Sequence, residues 1–270
     1  MSLSSQPIGI FDSGVGGLTV AHALTQLLPN EQIIYFGDVA HHPYGEKSSA
    51  AIQSYAVKIC EMLLRQEVKL ILIACNSASA VAHDLVREYV GSRAKVIDVI
   101  NPMIEHLREN FNHQKIGLIA TRATVNSGIY HQKIDTLGLG IQLTSLAAPL
   151  LVPIIEEGNI NHDDFKQILH NYLSHPTLQD IDALLLACTH YPIIKDQISQ
   201  FYNHKISLID NSEITAHAVK NLLEYHRLLN PSVLTPQHQF YVSDYTESFV
   251  AHARFFFPAA LHFEHYPLWD

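Results

Sequence analysis

Leu-Leu-Leu-Ala-Cys-Thr-His-Tyr-Pro, residues 184–192, is an apolar run that stops at a cysteine and continues into a histidine and a proline. A similar stretch, Leu-Ile-Leu-Ile-Ala-Cys-Asn-Ser at 70–77, contains a second of the chain's three cysteines in the same context. Short apolar runs of this kind are typical of buried strands in a parallel sheet. The two stretches therefore predict two strands that each end at a cysteine.

An internal repeat relates the two halves of the chain. Ile-Gly-Ile-Phe-Asp at 8–12 resembles Ile-Gly-Leu-Ile-Ala at 116–120, and nearly the same number of residues separates these two stretches as separates the two cysteines. In open parallel sheets, ligands bind beyond the carboxyl ends of the strands. We therefore expect an α/β fold of two similar domains with mainly parallel sheets, related by a pseudo-twofold axis, with the active site in the cleft between them.

Apolar, β-branched runs alternate with longer amphipathic stretches along the chain, which predicts alternating strands and helices. Apolar residues at helical spacing cover 48–66 and 212–228, and the end of the chain from Gln239 predicts a further strand, helix and short strand. The expected domains are 1–100 together with 211–270, and 101–210. The strands predicted before Gln239, including the two that end at cysteines, are Ile8 to Phe11, Ile33 to Phe36, Lys69 to Ala74, Lys95 to Val99, Lys115 to Ala120, Ile141 to Leu146, Ala183 to Ala187 and Ser207 to Ile209.

The composition bounds the classes of function. The 270 residues are 47% hydrophobic and 16% charged, which indicates a globular chain that can bury its own core. A net charge of -9 disfavours general binding to nucleic acid or to a membrane surface, because both require a basic face. The sequence shows no signal-peptide pattern and no apolar run of about 20 residues, so we expect no membrane span. Three cysteines without an export signal favour the reducing cytoplasm.

Two interpretations of Cys75 and Cys188 are open. A cysteine at a strand end can be a small buried apolar residue, and this is the ordinary role of a lone one. A thiolate at a helix N-terminus or beside an acid-base partner can instead act as a base. Because both cysteines stand in matched contexts, we favour a pair of catalytic thiols. Cys60 shares an apolar helix face with Ala56 and Leu63, which predicts a packing role in the core.

The first glycine cluster, Phe-Asp-Ser-Gly-Val-Gly-Gly-Leu-Thr at 11–19, follows a predicted strand and opens a helix. Thr19 stands where a dinucleotide-binding fingerprint needs glycine or alanine, and the Lys-Ser or Lys-Thr of a P-loop is missing. The pattern predicts a tight turn whose N–H groups could hold a carboxylate. Asp12, at the mouth of this turn with Ser13, is either an N-cap of the helix or the acid-base partner of Cys75.

Histidines are numerous, but few of them stand next to a predicted site. His190 follows Cys188 by two residues, so we expect it to exchange protons with that thiol. No zinc site is predicted, because the chain has neither a Cys-x-x-Cys pair nor a His-Glu-x-x-His run. His41 and His42 are the one adjacent pair, and metal binding is the less favoured interpretation of it. Each side of the predicted cleft then has a thiol with one assistant.

Five sets of stretches along the chain form one ordered pattern. They are Asp-Ser-Gly-Val-Gly-Gly-Leu-Thr at 12–19, Tyr-Phe-Gly-Asp at 35–38 with Pro-Tyr-Gly-Glu-Lys-Ser at 43–48, Ala-Cys-Asn-Ser-Ala-Ser-Ala at 74–80, Leu-Val-Pro-Ile-Ile-Glu-Glu-Gly at 151–158, and Ala-Cys-Thr-His-Tyr-Pro at 187–192. In this order they resemble the motifs of bacterial glutamate racemases in the aspartate/glutamate racemase superfamily. The resemblance covers about residues 8–220, and the long glycine and Pro-Tyr-Gly stretches point to the glutamate branch. The Cys-Asn and Cys-Thr-His pieces alone fit the wider superfamily.

The resemblance implies an isomerase that interconverts L- and D-glutamate without a cofactor and supplies the D-enantiomer for peptidoglycan, and hence for cell-wall biogenesis and cell shape. One thiolate removes the α-proton, and the opposite thiol returns a proton to the other face of a planar carbanionic intermediate. By analogy, Cys75 deprotonates D-glutamate and Cys188 deprotonates L-glutamate. The implied partner is glutamate as a small-molecule substrate, with no nucleic acid or membrane partner, and a homodimer is one option for the oligomeric state.

The resemblance also implies roles for single residues. Asp12 resembles the assistant of Cys75, His190 that of Cys188, and Glu156 a further carboxylate that influences the second thiol. Two positions depart from the common pattern, because Ser77 stands where threonine is usual and Ala187 where glycine is usual; neither change removes a functional group. The implied substrate contacts are Asp12, Ser13, Tyr44, Gly45, Asn76, Ser77, Thr124, Thr189 and His190.

Three other functions stay open on the sequence. A racemase of aspartate or another amino acid would use the same chemistry, and relative turnover would separate the two. A one-cysteine decarboxylase of the same superfamily is disfavoured by the second thiol. A non-catalytic amino-acid-binding regulator would bind its ligand and leave the α-proton unexchanged with solvent.

Overall fold

A computed structural model describes residues 2–245, 253–257 and 261–270 of the chain. The strands that it contains form two sheets, and every pairing within them is parallel. In chain order the strands are β1 (Ile8–Asp12), β2 (Ile33–Gly37), β3 (Leu70–Ile73), β4 (Lys95–Asp98), β5 (Lys115–Ala120), β6 (Gln142–Ala147), β7 (Ala183–Ala187), β8 (Ser207–Asp210), β9 (Gln239–Val242) and β10 (Phe263–His265).

Helices connect most of these strands, as parallel pairing requires. The predicted helical stretches 48–66 and 212–228 form two of them with slightly shorter bounds. Among the described residues, no helix combines the length and the apolar character needed to cross a bilayer. The helices are α1 (Leu18–Leu27), α2 (Ser49–Arg65), α3 (Asn76–Val90), α4 (Ile100–Asn110), α5 (Arg122–Ser127), α6 (Ile129–Leu137), α7 (Leu151–Glu156), α8 (Asp163–Leu173), α9 (Lys195–Phe201) and α10 (Asn211–Tyr225).

The strand, helix and short strand predicted from Gln239 onward are present in part. The two strands are β9 and β10, and a helical turn is formed at 253–256. The rest of that predicted helix falls on 246–252 and 258–260, which lie outside the described residues.

The two sheets share one topology. The strand order is β10-β9-β2-β1-β3-β4 in the first sheet and β6-β5-β7-β8 in the second, so the run β2-β1-β3-β4 matches the whole second sheet. The register agrees as well, since Gly9 lies opposite Ile71 and Gly117 lies opposite Leu184. The predicted repeat and the two-part α/β architecture are therefore confirmed. β9 and β10 extend the first sheet beyond β2.

The central strands are apolar throughout because helices cover both faces of the first sheet. Every residue of β1, β2, β3 and β7 is buried. Side chains of β1 alternate between two apolar clusters, with Ile10 packed with residues of α1 and α10, and Phe11 packed with residues of α2 and α3. The cluster that contains Ile10 continues into β5 and β7 of the second sheet, so one core joins the two halves.

The chain passes from the first sheet to the second through α4 and leaves the second sheet through α10. α10 packs against both α1 and α4, so these two connections lie side by side. The strands β1 to β4, β9 and β10 belong to the first sheet, and β5 to β8 belong to the second. The domain bounds proposed from the sequence, 1–100 with 211–270 and 101–210, stay a prediction.

A buried ion pair ties together parts of the chain that are far apart in sequence. Lys69 is 1% exposed, and its Nζ donates to Oε2 of Glu31 at 2.6 Å. The same Nζ donates to the backbone carbonyls of Ser4 at 2.6 Å and of Leu228 at 2.8 Å. Burial lowers the pKa of Lys69, and the hydrogen bond and charge of Glu31 oppose this lowering. One ammonium group therefore joins the segment before β1, the segment before β3 and the segment after α10.

Replacing Glu31 by alanine leaves the buried ammonium of Lys69 without its carboxylate partner. We expect the free energy of unfolding to fall by about 3–5 kcal/mol, the usual cost of breaking a buried ion pair. Urea unfolding followed by circular dichroism measures the change. The control is the double substitution Glu31→Leu with Lys69→Met, which removes both charges and should cost less than Glu31→Ala alone. An equal or larger loss in the double variant would contradict the buried charge as the cause.

Candidate active site

The carboxyl ends of β1, β3 and β7 lie close together between the two sheets. β1 ends at Asp12, β3 leads through Ala74 into Cys75, and β7 leads directly into Cys188. Because β3 and β7 occupy the same place in the two matched sheets, their thiols hold equivalent positions. Cys75 is the N-cap of α3, whereas Cys188 is followed by a 3-10 turn at Tyr191–Ile194 before α9 begins.

Both thiols line one narrow cavity of about 20 Å³, whose walls come from both halves. This volume is far below the roughly 300–1,000 Å³ of small-molecule sites, so the cleft is nearly closed in this structure. Most of the residues predicted to contact substrate line it, whereas Asp12, Glu156 and Thr124 lie behind the lining. The lining residues are Ser13, His42, Pro43, Tyr44, Gly45, Cys75, Asn76, Ser77, Thr121, Val152, Cys188, Thr189 and His190.

Cys75 is held by its own half of the molecule. Its Sγ lies 3.8 Å from Oγ of Ser13, and the thiol is 5% exposed. Burial, together with the charge of Asp12, raises the pKa of Cys75 to about 12. Hydrogen bonds from the N–H of Ala78 and from Ser13 oppose that rise. The thiol is therefore protonated at neutral pH when the cavity holds no cation.

Cys188 has a different kind of partner. Its Sγ lies 3.8 Å from Nδ1 of His190, the residue predicted to exchange protons with it. Burial raises the pKa of Cys188 well above its usual range, and the backbone N–H of His190 opposes the rise. The negative charges of Cys75, Asp12 and Glu156 add to the rise. Two thiols in one cavity thus disfavour each other's ionisation, which suits a site where one is thiol while the other is thiolate.

Asp12 links the two halves at the base of the cavity. Its Oδ2 accepts the N–H of Gly14 at 2.9 Å, and its Oδ1 accepts the hydroxyl of Thr189 at 3.4 Å. Among the described residues, no hydrogen bond joins Asp12 directly to Cys75, so its influence on that thiol acts through charge. Thr19 strengthens the same contact, because its hydroxyl donates to the carbonyl of Thr189 at 3.2 Å.

Hydroxyl and amide groups form the wall beside Cys75. Oδ1 of Asn76 accepts the hydroxyl of Tyr130 at 2.9 Å, which leaves its buried Nδ2 without a partner among the described residues. Oγ of Ser77 lies 2.8 Å from Oγ1 of Thr121, and Thr121 lies 3.2 Å from Oγ1 of Thr124. The amide of Asn76 is therefore an available donor on the cavity wall, and Thr121 rather than Thr124 reaches the lining.

The loop that carries Tyr44 is fixed by a buried carboxylate. Asp38 is fully buried, and its Oδ2 accepts the hydroxyl of Tyr44 at 2.6 Å. Its Oδ1 accepts Oγ–H of Ser243 at 2.8 Å and the indole N–H of Trp269 at 2.7 Å. His41 contacts the same carboxylate at 3.0 Å through Nδ1. The Pro-Tyr-Gly stretch of the cavity wall is thus anchored by residues from the far end of the chain.

Close approach of the two halves explains two glycines of the predicted motifs. A Cβ on Gly16 would lie 2.3 Å from Oγ1 of Thr189 and 2.5 Å from the ring of His190. A Cβ on Gly45 would lie 2.7 Å from Cβ of Thr121. Both distances are too short for real contacts, so each glycine lets a loop of the first half touch the second half.

A cluster of titratable side chains beside Cys188 consists of His190, Glu156 and His42. Nε2 of His190 lies 2.7 Å from Oε1 of Glu156, and Nε2 of His42 lies 2.9 Å from Oε2. Burial alone would raise the pKa of Glu156, but the hydrogen bonds and charges of His190 and His42 hold it well below its usual range. Burial alone would lower the pKa of His42, yet the bond to Glu156 raises it.

These same three residues are the group that could hold a metal ion by proximity. The ligand atoms of His42, Glu156 and His190 lie within 4.8 Å of one another. Each carboxylate oxygen already has one imidazole partner, so the hydrogen bond to His190 and the ion pair with His42 account for the arrangement. The pairing of His41 with His42 that the sequence suggested is not a common site, because His41 turns to Asp38.

Three residues of the site were not predicted from the sequence. Thr121 directly follows β5, so the rule that strand ends carry ligands could have identified it. His42 stands beside the Pro-Tyr-Gly motif, which was a signal of position though not of role. Tyr130 lies inside α6, and no local pattern links it to Asn76.

Comparison with known proteins shows which family the chain resembles over most of its length. A model of the family described as Asp/Glu/Hydantoin racemase matches residues 18–219. A glutamate racemase of Syntrophus aciditrophicus is 43% identical over 238 residues, which cover 88% of this chain and 87% of that protein. One of Chlorobaculum parvum is 42% identical and covers 91% of this chain and 90% of that protein. The crystal structure of glutamate racemase from Francisella tularensis in complex with D-glutamate superposes with a TM-score of 0.92, at 40% identity, over 98% of this chain and 99% of that one.

The raised thiol pKa predicts the pH dependence of alkylation in the free protein. Because only the thiolate reacts, we expect labelling of Cys75 by iodoacetamide to be slow at neutral pH and still rising between about pH 9 and about pH 11. The labelling rate of a free cysteine, whose pKa is about 8.5, levels off over that range. Mass spectrometry of the labelled peptides gives the rates, with the urea-unfolded chain as reference. A Cys75 rate that levels off with the unfolded chain would contradict the pKa shift.

Proposed function

The chain belongs to the Asp/Glu/hydantoin racemase family, and we propose that it interconverts L- and D-glutamate by proton exchange between two thiols without a cofactor. It is therefore an isomerase. Its relatives over most of the chain are glutamate racemases, and one of their structures contains D-glutamate. In the cell this activity would supply D-glutamate for peptidoglycan, and hence for cell-wall biogenesis and cell shape, from the cytoplasm.

The observation that carries the proposal is the placement of two thiols on one small cavity. Cys75 and Cys188 approach it from equivalent strand ends of two matched sheets. A bound α-carbon then has a proton acceptor on one face and a proton donor on the other. Inversion follows without moving the substrate, because the proton leaves one face and a different proton arrives at the opposite face.

The proton balance of the cycle is simple. With L-glutamate bound, the thiolate of Cys188 accepts the α-proton while the thiol of Cys75 donates its own proton to the other face, which gives D-glutamate. The protein is left with Cys188 as thiol and Cys75 as thiolate. Before the next L-glutamate reacts, Cys188 loses its proton and Cys75 gains one by exchange with solvent, so no other reactant is consumed.

Charge in the cavity decides when a thiol ionises. Burial raises the pKa of both thiols in the free protein, so each is protonated before substrate arrives. The ammonium group of an amino acid brings a positive charge into the cavity, and an opposite charge nearby favours the thiolate. The base therefore forms only with its substrate in place.

Stabilising the carbanion requires fixed donors around the substrate carboxylate. Each well-placed donor contributes about 3–4 kcal/mol in comparable oxyanion sites. The unpartnered Nδ2 of Asn76 and the hydroxyls of Ser13, Ser77 and Thr189 are suited to this task. Tyr44 and Gly45 complete the wall, and Thr124 acts through Thr121.

The assistants of the two thiols differ in how they act. Asp12 influences Cys75 through charge, while the thiol of Cys75 donates a hydrogen bond to Oγ of Ser13. His190 contacts Cys188 directly, and Glu156 orients His190 from behind. Because the cavity is small and buried, the two halves must separate to admit substrate and close again before reaction.

Incubation with L-glutamate in deuterium oxide tests the proposal. We expect loss of optical rotation together with replacement of the α-proton by deuterium, followed by polarimetry and proton NMR. Cys75→Ala and Cys188→Ala should each reduce racemisation by about a hundredfold or more, the scale of a general acid-base contribution. Cys60→Ala is the matched control, because Cys60 is a buried thiol outside the cavity, and its activity should be unchanged.

The single-thiol variants should also show which enantiomer each thiol deprotonates. With Cys188→Ala, Cys75 can still remove the α-proton of D-glutamate and return a deuteron to the same face, so D-glutamate exchanges without inversion. With Cys75→Ala, the same result is expected for L-glutamate. Full racemisation in either variant would sink the two-base mechanism. Faster turnover of aspartate would instead make the chain an aspartate racemase, and binding without any exchange would indicate a regulator.

A further inference from the structure

We propose that His42 is a positioning residue for proton transfer at Cys188, which it serves from the opposite half of the molecule by holding Glu156 on His190. The inference rests on the proposed racemisation. It concerns a residue that neither the sequence pattern nor the resemblance assigned to the mechanism. His42 belongs to the first half, in the segment after β2, whereas Glu156 and His190 belong to the second.

Both oxygens of Glu156 are used. Oε1 accepts from Nε2 of His190 at 2.7 Å, and Oε2 forms an ion pair with Nε2 of His42 at 2.9 Å. An ionised carboxylate can only accept, so both imidazoles must carry their proton on Nε2. Because each of its two carboxylate oxygens has a histidine partner, Glu156 is held in place against His190.

This fixes the state of the nitrogen that faces the thiol. Since Nε2 of His190 carries a proton, a neutral His190 presents the lone pair of Nδ1 to Sγ of Cys188 at 3.8 Å. In that state His190 can accept the thiol proton, and in the charged state it can return it. His42 therefore acts on Cys188 through two intervening residues, Glu156 and His190, and contacts neither the thiol nor, in this role, the reacting carbon.

Space for His42 is built into the glycine turn. Nδ1 of His42 lies against the backbone of that turn, where a Cβ on Gly14 would be only 2.9 Å away. The ring is largely buried, with 16% of the side chain exposed, and its centroid lies 6.0 Å from that of His190. The imidazole is thus held in the cleft rather than free to point into solvent.

The pair of His42 and Glu156 crosses the cleft, and this gives it a second property. Opening the two halves separates His42 from Glu156, while Glu156 and His190 move together within the second half. Cys75 has no equivalent dependence, because its hydrogen-bond partner Ser13 belongs to the same half. The acid-base group of Cys188 is therefore complete only in the closed state.

The test compares His42→Leu, which removes the N–H, with His42→Gln, whose amide N–H can replace it. We expect kcat/KM to fall about tenfold in His42→Leu, less than for a direct acid-base group, and to recover in large part in His42→Gln. Because the enantiomers have equal free energies, kcat/KM must fall equally in both directions. The location of the defect must therefore come from isotope effects.

α-Deuterated L-glutamate and α-deuterated D-glutamate supply that readout. If His42 serves Cys188, the leucine variant should show a larger deuterium effect from L-glutamate, where Cys188 removes the deuteron, and a smaller one from D-glutamate. His217→Gln, at an exposed histidine of α10 outside the cavity, is the control and should change neither. A variant that only misplaces substrate would shift both effects in the same direction, which would overturn the proposal.

A double-mutant cycle with Glu156→Gln gives an independent check. If His42 acts through Glu156, the double variant should lose no more activity than Glu156→Gln alone. Multiplying losses would show that His42 acts elsewhere and would overturn the inference. An inactive wild-type protein would instead defeat the proposed function, so the two failures are distinguishable.

Discussion

Two thiols can face each other across one small cavity only if the strands that carry them, one in each sheet, both direct their carboxyl ends toward that cavity. The repeat satisfies this constraint, because β3 and β7 hold the same place in sheets of the same order. Everything else at the site follows from bringing those two edges together. Gly16 and Gly45 permit the close approach, and the bond between Asp12 and Thr189 fastens the base of the cavity.

Equivalent positions do not give the two thiols equivalent surroundings. Cys75 has a hydroxyl from its own half as neighbour, and Cys188 has an imidazole backed by a carboxylate. Since both pKa values are raised by burial, neither thiol is a base before a cation enters. The shared fold thus supplies position, and the loops supply the difference in acid-base chemistry.

The sequence predicted the parts of the site that are local to a strand end. Cys75, Asp12 and His190 stand within a few residues of an apolar run, and the rule of carboxyl ends brings them together. The contact of His42 with Glu156 joins loops more than a hundred positions apart, and no local pattern records it. Thr124 was predicted to contact substrate, but Thr121 lines the cavity in its place. Helix α5 begins between these two residues, and Thr124 is buried in it.

The first and last residues of the strands were predicted to within about a residue or two, since an apolar run does not mark the end of a strand sharply. The extension of the first sheet by β9 and β10 shows a further limit of local patterns. Alternation of strands and helices gave the α/β class, yet it could not say that strands from the end of the chain add beside β2. Pairing of distant strands depends on which edge is left uncovered in the folded molecule.

The hydrogen bonds of the Asp38 carboxylate can be completed only late in synthesis of the chain. It holds Tyr44 through hydrogen bonds that also involve Ser243 and Trp269. Tyr44 emerges from the ribosome long before Trp269 is synthesised. In the nascent chain, this wall of the cavity therefore lacks part of its hydrogen-bonding support. Chains that stop short of these last residues would therefore retain both thiols while lacking part of the support that shapes the space between them.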